Sequence, residues 1–526
     1  MKRNFLSLTL CIGLCSAFAQ DDAAKYAASI TGDNLKKHLT IIASDEMEGR
    51  ETGTEGERKA AAYIEAQFRA FGLQSPKALN GYKQSFPLHR DSMTLSTVKI
   101  NNRELNYGTD YYVPVLTNGT KRSGANKLVF AGYGISEKAY DDYKDVNVRG
   151  KVVVFFLGEP KENGKYLLTG TAQYSEYTYP GLAVKMVQAE AKGAVAAIVI
   201  NPAIGMLSSR MVALNTKSNV YYPGQEVDKS IGFITISHDA AKQAFGEWNI
   251  DSLVRIARTS NLFVAAKVPE VKATYSFDYK KERQIIYSAN VLGLIEGTDK
   301  KDEYVFLTAH YDHLGKKEGK IYYGADDDGS GTCAVINMAE TFSKAKADGK
   351  GPRRTIVFMT VSGEEKGLWG SEYYSDHPVF PLEKTSVDLN TDMVGRIDTE
   401  RKKDDTLNYV YVVGHNKLST ELPVINEGVN IKYTGLVLDY KFDDPNDPNQ
   451  IYYRSDHYNF ARKGVPVLFF YDGMLKADYH KPTDTIDKIN WALYEKRVRM
   501  IFHTAWEMAN RDDMLRRDIP LEETER

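Results

Sequence analysis

The sequence predicts an α/β protein: a mostly parallel central sheet flanked by helices, interrupted by an inserted β-rich α/β domain. Three observations lead there. From Gln284 onward, short continuous apolar runs alternate with helical segments, as expected of strands buried on both faces and joined by helical crossovers. Between residues 96 and 272 that pattern gives way to tyrosine-rich, short alternating segments. The chain of 526 residues also exceeds what one hydrophobic core usually organises.

Each region follows in order. Residues 1–19 read as a secretory leader: Lys2 and Arg3 precede an apolar run over 5–14, and Ala17-Phe18-Ala19 offers the small residues of a cleavage site. Cleavage is expected after Ala19, with a periplasmic or extracellular destination. Cys11 and Cys15 leave with that leader, so Cys333 remains alone and no intrachain disulfide forms. Residues 20–95 carry two helices, over 34–39 and 56–73, the second placing Ala61, Ile64, Phe68 and Phe71 on one face. Between them lies a charged, glycine-punctuated loop, Glu46 to Glu57. In the inserted segment 96–272, strands over 151–157 and 194–201 bracket an alanine-rich helix over 182–192. No His, Asp and Glu cluster at ligand spacing occurs there, so its expected role is structural, lid-like or concerned with substrate access. The remainder, 273–526, holds strands over 291–295, 304–309, 355–361, 387–391 and 465–471, with helices over 331–345 and 491–510.

Composition narrows the function. With 42% hydrophobic and 26% charged residues and a net charge of -2, bulk electrostatics favour neither nucleic acid nor an anionic membrane surface. No stretch is long and apolar enough to span a bilayer.

In open parallel sheets, ligands sit beyond the carboxyl ends of the strands, and there the chemistry-bearing residues gather. His310-Tyr-Asp312-His313 follows the 304–309 strand; an imidazole can bind a metal through one ring nitrogen while a carboxylate two residues on orients the other. Asp326, Asp327 and Asp328 then open a helix, three carboxylates that repel unless a cation or the helix terminus compensates them. Glu364 and Glu365 follow the 355–361 strand, their side chains leaving the backbone in different directions, which suits one ligand and one base. Asp392 closes the 387–391 strand, and His480 follows the 465–471 strand, with His457 as a second candidate histidine before it. Two imidazoles and three carboxylates without cysteine suit a pair of zinc ions sharing one carboxylate.

Taken together, His310-Tyr-Asp312, Gly324 to Gly331, Glu364-Glu365-Lys-Gly-Leu, Asp392-Met-Val-Gly and Tyr479-His480 resemble the ordered motifs of the secreted aminopeptidase and glutamate-carboxypeptidase family of dinuclear zinc exopeptidases. The inserted segment resembles that family's protease-associated domain through Val129-Phe-Ala-Gly-Tyr-Gly134, Tyr140-Asp-Asp-Tyr143 and Val148-Arg-Gly-Lys-Val152. The resemblance implies roles. Asp327 bridges two Zn²⁺, His310 and Asp392 complete one site, Glu365 and His480 the other, Glu364 is the general base, and Asp312 orients His310. It also implies a cis peptide after Asp327 and a pocket-lining place for His457.

The expected reaction is hydrolysis of the N-terminal peptide bond of peptide substrates, through a water shared by the two zinc ions and deprotonated by Glu364. A carboxypeptidase or dipeptidase is the rival; it needs a basic clamp for carboxylates, for which Arg454 is a candidate. A glutaminyl cyclase uses one zinc, and a receptor-like member lacks the ligands. All five ligand positions are filled here, which argues against both.

Overall fold

The computed structural model describes residues 22–521, apart from 117, 180, 202–208, 226–230, 247, 259–267 and 403–404. The leader expected over residues 1–19 lies outside the described residues. The chain divides into two compact units. One comprises the described residues up to Pro87 and from Tyr287 onward, and the other is Leu88–Ile286. Pro87 and Tyr287 lie within long strands, Lys83–Ile100 and Val271–Ile295, so no turn composition marks either boundary.

In the first unit, helix α1 (Gly32–Ile42) is capped where Thr31 Oγ1 accepts the Asn34 N–H. Helix α2 (Glu55–Ala70) follows and buries Ala60, Ala61, Ile64 and Phe68. The sheet is built from β1 (Val271–Ile295, here through residues 291–295), β2 (Lys300–His310), β3 (Arg354–Val361), β4 (Thr385–Thr391), β5 (Tyr409–Val413), β6 (Val437–Asp439) and β7 (Val467–Tyr471). Their spatial order is β6-β5-β7-β4-β2-β3-β1. The central four, β3, β2, β4 and β7, are parallel, while β1 and β5 pair antiparallel at the two sides.

Helices α3 (Gly329–Ala347), α4 (Trp369–Asp376), α5 (Glu421–Tyr433), α6 (His457–Ala461) and α7 (Trp491–Asn510) complete the unit. Successive strand residues face opposite sides. Val305, Leu307, Ile356 and Phe358 join one core with α3 and α7, whereas Phe306, Val357 and Met359 join another with Tyr374 and Phe460. Both faces are covered, which is why these strands read as unbroken apolar runs.

The second unit is itself α/β. Strands Lys121–Phe130, Val152–Phe156, Ala196–Ile200 and Gly232–Ile236 are parallel neighbours in that order. Val152, Val154 and Phe156 enter one core and Val153 and Phe155 another, so this sheet too is packed on both faces. Among the described residues no helix of either unit is long and apolar enough to cross a membrane.

Candidate metal centre

The parallel register brings the strand ends to one edge: His310 pairs with Val361, and Thr391 with Phe470. Residues just beyond those ends therefore meet. The Asp326–Asp328 segment joins them at the start of α3, where Asp328 Oδ1 accepts the Gly331 N–H at 2.8 Å. Gly331 is required there, since a Cβ would stand 2.1 Å from the Thr391 carbonyl. The Asp327–Asp328 peptide is cis.

The three aspartates differ sharply in what surrounds them. Asp326 Oδ1 accepts the Gly395 N–H (2.8 Å) and the Ser330 hydroxyl (3.2 Å). Asp328 accepts the N–H groups of Gly331, Met393 (3.1 Å) and His310 (3.1 Å). Asp327 instead faces imidazoles: its Oδ1 lies 3.3 Å from His310 Nε2 and its Oδ2 3.3 Å from His480 Nε2. His310 Nε2 is also 3.6 Å from Asp392 Oδ1, and His480 Nε2 is 2.9 Å from Glu365 Oε2.

These separations fit metal coordination. Ligands about 2.0–2.1 Å from a tetrahedral zinc stand about 3.3 Å apart. His310 Nε2, Asp327 Oδ2 and Glu365 Oε1 are buried and make no hydrogen bond. Buried polar atoms are normally satisfied, so a convergent set of buried atoms without hydrogen-bond partners has the character of a ligand set. Asp392 is steadied from behind by the Ser455 hydroxyl, 2.7 Å from Oδ2.

The electrostatics agree. Burial lowers the His310 pKa, but Glu364, Asp392, Asp312 and Asp327 together carry it well above the ordinary imidazole value. Burial likewise opposes His480, which Asp327 and Glu365 push up to about 10. In return, His310 and His480 overcome the burial of Asp327 and hold its carboxyl well below the usual range. The two imidazoles are acting as counter-charge to a group of carboxylates. A bound cation takes over that role and releases their protons, because a ligating imidazole is neutral. Glu364 behaves differently: burial raises its pKa well above the carboxylate range, Asp392 and Glu365 add to this, and His310 opposes it.

Other expected site residues fall as follows. Glu364 Oε2 lies 3.8 Å from His310 Nε2, in reach of the same centre. Asp312 meets His310 Nδ1 with its main-chain oxygen at 3.1 Å, whereas its carboxylate is at 3.7 Å. The histidine is thus oriented by the residue's backbone, while the carboxylate accepts the Thr52 hydroxyl (2.7 Å) and the Glu364 N–H (3.2 Å). Arg454 lines the cleft with Asp327, Glu364 and Asp392 and donates to the Tyr479 hydroxyl at 3.0 Å. His457 does not line it: the ring is fully buried, stacked on Phe469 at 4.7 Å, because α6 turns it into the core. His313 has no role assigned from its motif. Its Nδ1 lies 2.7 Å from Glu365 Oε1 and 3.8 Å from Asp327 Oδ2, so it stands beside two of the candidate ligand carboxylates. The signal was a second imidazole three residues past the first.

Residues 290–505 match the model of peptidase family M28. Among curated relatives, a probable glutamate carboxypeptidase of Zea mays is 24% identical over 65% of this chain and 47% of its own length. A probable leucine aminopeptidase of Trichophyton verrucosum is 28% identical over 40% of this chain and 55% of its own. The chain thus spans about half the length of these relatives. An aminopeptidase from Aneurinibacillus sp. strain AM-1 shares the fold, with TM-score 0.50 and 20% identity over 95% of this chain and all of that one. The match over residues 290–505 takes in every segment from His310 to His480, so this part of the chain is similar to peptidase family M28.

Proposed function

We propose that the protein is an exported zinc aminopeptidase with two metal positions. His310 and Asp392 hold one, Glu365 and His480 the other, and Asp327 spans both, with Glu364 as general base. The observation that carries this reading is the pair of 3.3 Å contacts from the two carboxylate oxygens of Asp327 to His310 and His480. Zinc bound by these residues supplies Lewis acidity, lowering the pKa of water and stabilising negative charge that develops on the carbonyl oxygen.

The chain's own residues do the rest. Glu364 accepts the proton of the attacking water and returns it to the departing amine nitrogen. Its burial favours the protonated form, which suits the second of those steps. Ser455 holds Asp392, and the Asp312 carboxylate holds the Glu364 main chain, so the reacting groups meet in a preset arrangement. Acidic groups at the cleft attract a substrate's free α-amine and favour cleavage at the N-terminal residue. The Lys2-Arg3 pair and the apolar run after it support export, and the inserted segment 96–272 is read as a protease-associated domain with a structural, lid-like or substrate-access role.

A second reading, an exopeptidase acting at a free carboxyl terminus, is favoured by Arg454 in the cleft. One panel separates the two. Purified protein is assayed on aminoacyl-anilides, their N-acetylated forms and C-terminally acidic dipeptides, with and without chelator. Chelator-sensitive release from free-amine anilides alone is expected; hydrolysis confined to N-blocked substrates contradicts the aminopeptidase reading.

A further inference from the structure

The charged loop at residues 46–57 has no part in the chemistry above, yet it is threaded through the residues that carry it. Gly315 N–H donates to Gly49 O at 2.9 Å and His313 N–H to Arg50 O at 3.2 Å, so the loop lies along the segment that follows β2. Gly49 permits this approach: with φ +71 and a Cβ position 2.4 Å from Tyr322 O, another residue does not fit. Arg50 is fully buried and donates to Tyr311 O (2.7 Å), Ile42 O (2.8 Å), Tyr323 O (2.8 Å) and Gly324 O (2.9 Å). It thereby ties the residue after His310 to the segment leading into Asp327.

The same loop grips the turn that carries Glu364 and Glu365. Ser362 Oγ donates to Glu57 Oε1 at 2.6 Å, and Lys366 Nζ to Glu51 Oε1 at 2.8 Å. Thr52 Oγ1 donates to Asp312 Oδ2 at 2.7 Å, and Asp312 Oδ1 accepts the Glu364 N–H at 3.2 Å. The turn itself is a three-residue 3₁₀ segment, Glu364–Lys366, with no side-chain cap. So short a turn is held in place by what it touches rather than by its own hydrogen bonds.

We propose that Thr52 is a positioning residue for the general base, and that the 46–57 loop is the clamp that fixes the Glu364–Lys366 turn against the metal centre. The proposal rests on the reading of Glu364 and Glu365 as base and ligand. Thr52 acts through its neighbour. It pins the Asp312 carboxylate, which in turn sets where the Glu364 main chain lies.

The test is Thr52→Val, which keeps the shape and removes the hydroxyl, beside Thr52→Ser, which restores it. Partners of this kind are worth about 10- to 100-fold in activity or metal affinity. Thr52→Val is therefore expected to lower kcat by about tenfold or more, with a much smaller change in KM. It should also raise the zinc Kd of the apo-protein about tenfold in chelator competition, with Thr52→Ser close to wild type on both counts. A Thr52→Val protein that melts like wild type and keeps kcat and zinc Kd within about twofold overturns the proposal, as does an equal loss in Thr52→Ser. If Thr52→Val does not fold, Glu51→Gln loosens the same turn from its half-exposed rim; unchanged kcat and zinc Kd there overturn the clamp. Should wild type bind zinc but hydrolyse no aminoacyl substrate, the functional reading fails, and the zinc affinities alone decide the role of the loop.

Discussion

Asp326, Asp327 and Asp328 are neighbours of identical chemistry, and the N–H groups around each one divide their work. Asp326 is taken up by Gly395 and Ser330, Asp328 by His310, Gly331 and Met393, and Asp327 is left facing two imidazoles. A similar division separates the adjacent glutamates. Glu365 is drawn down to about 2 by His313 and His480 against burial and Asp327, whereas burial keeps Glu364 well above the carboxylate range. Replacing Glu364 by Gln should thus leave the ligand set intact and remove the base. The expected result is a loss in kcat of about 10²- to 10⁴-fold with unchanged zinc content by metal analysis; wild-type turnover contradicts the assignment. The motifs named these residues, but composition alone could not rank the three aspartates, because the deciding N–H groups belong to Met393 and Gly395, more than sixty positions away. His313 escaped notice for a related reason: only the folded chain shows its nitrogen beside Glu365. His457 was misplaced because nothing in its neighbours' identities reveals which way the short helix α6 turns.

At the scale of elements, the strands of the central sheet were legible because both faces are buried and each run is apolar throughout. Helix α5 was not legible: Val424 and Ile431 are 72% and 81% exposed, so no clean apolar stripe marks it. Strand β5 and the three-residue β6 also went unread, the second too short to show a period. The packing of α1 on α2 carries a testable pH dependence. His38 on α1 is buried, its Nδ1 2.8 Å from the Tyr63 hydroxyl on α2. Burial, with Lys37 adding, takes its pKa from 6.5 down to about 4. The folded protein keeps this ring neutral where the unfolded chain protonates it. Its contribution to stability is thus complete above about pH 6.5 and is lost as pH falls toward about 4. His38→Gln should flatten the decline in unfolding free energy across that window by up to about 3 kcal/mol, read from denaturant titrations at several pH values. Parallel pH profiles for the two proteins contradict this.

At the scale of the whole molecule, every candidate ligand among the described residues belongs to the first unit, and none to Leu88–Ile286. The proposed metal chemistry thus draws on one unit and its sheet edge, from segments that begin at the 46–57 loop and end at His480. Asp327 joining two metal positions is the centre of the proposed function. The most direct measurement is zinc per chain after equilibrium dialysis, for wild type and for Asp327→Asn. Two zinc ions per wild-type chain and one or fewer in Asp327→Asn are the predicted result; one zinc in wild type, or two retained by Asp327→Asn, contradicts it.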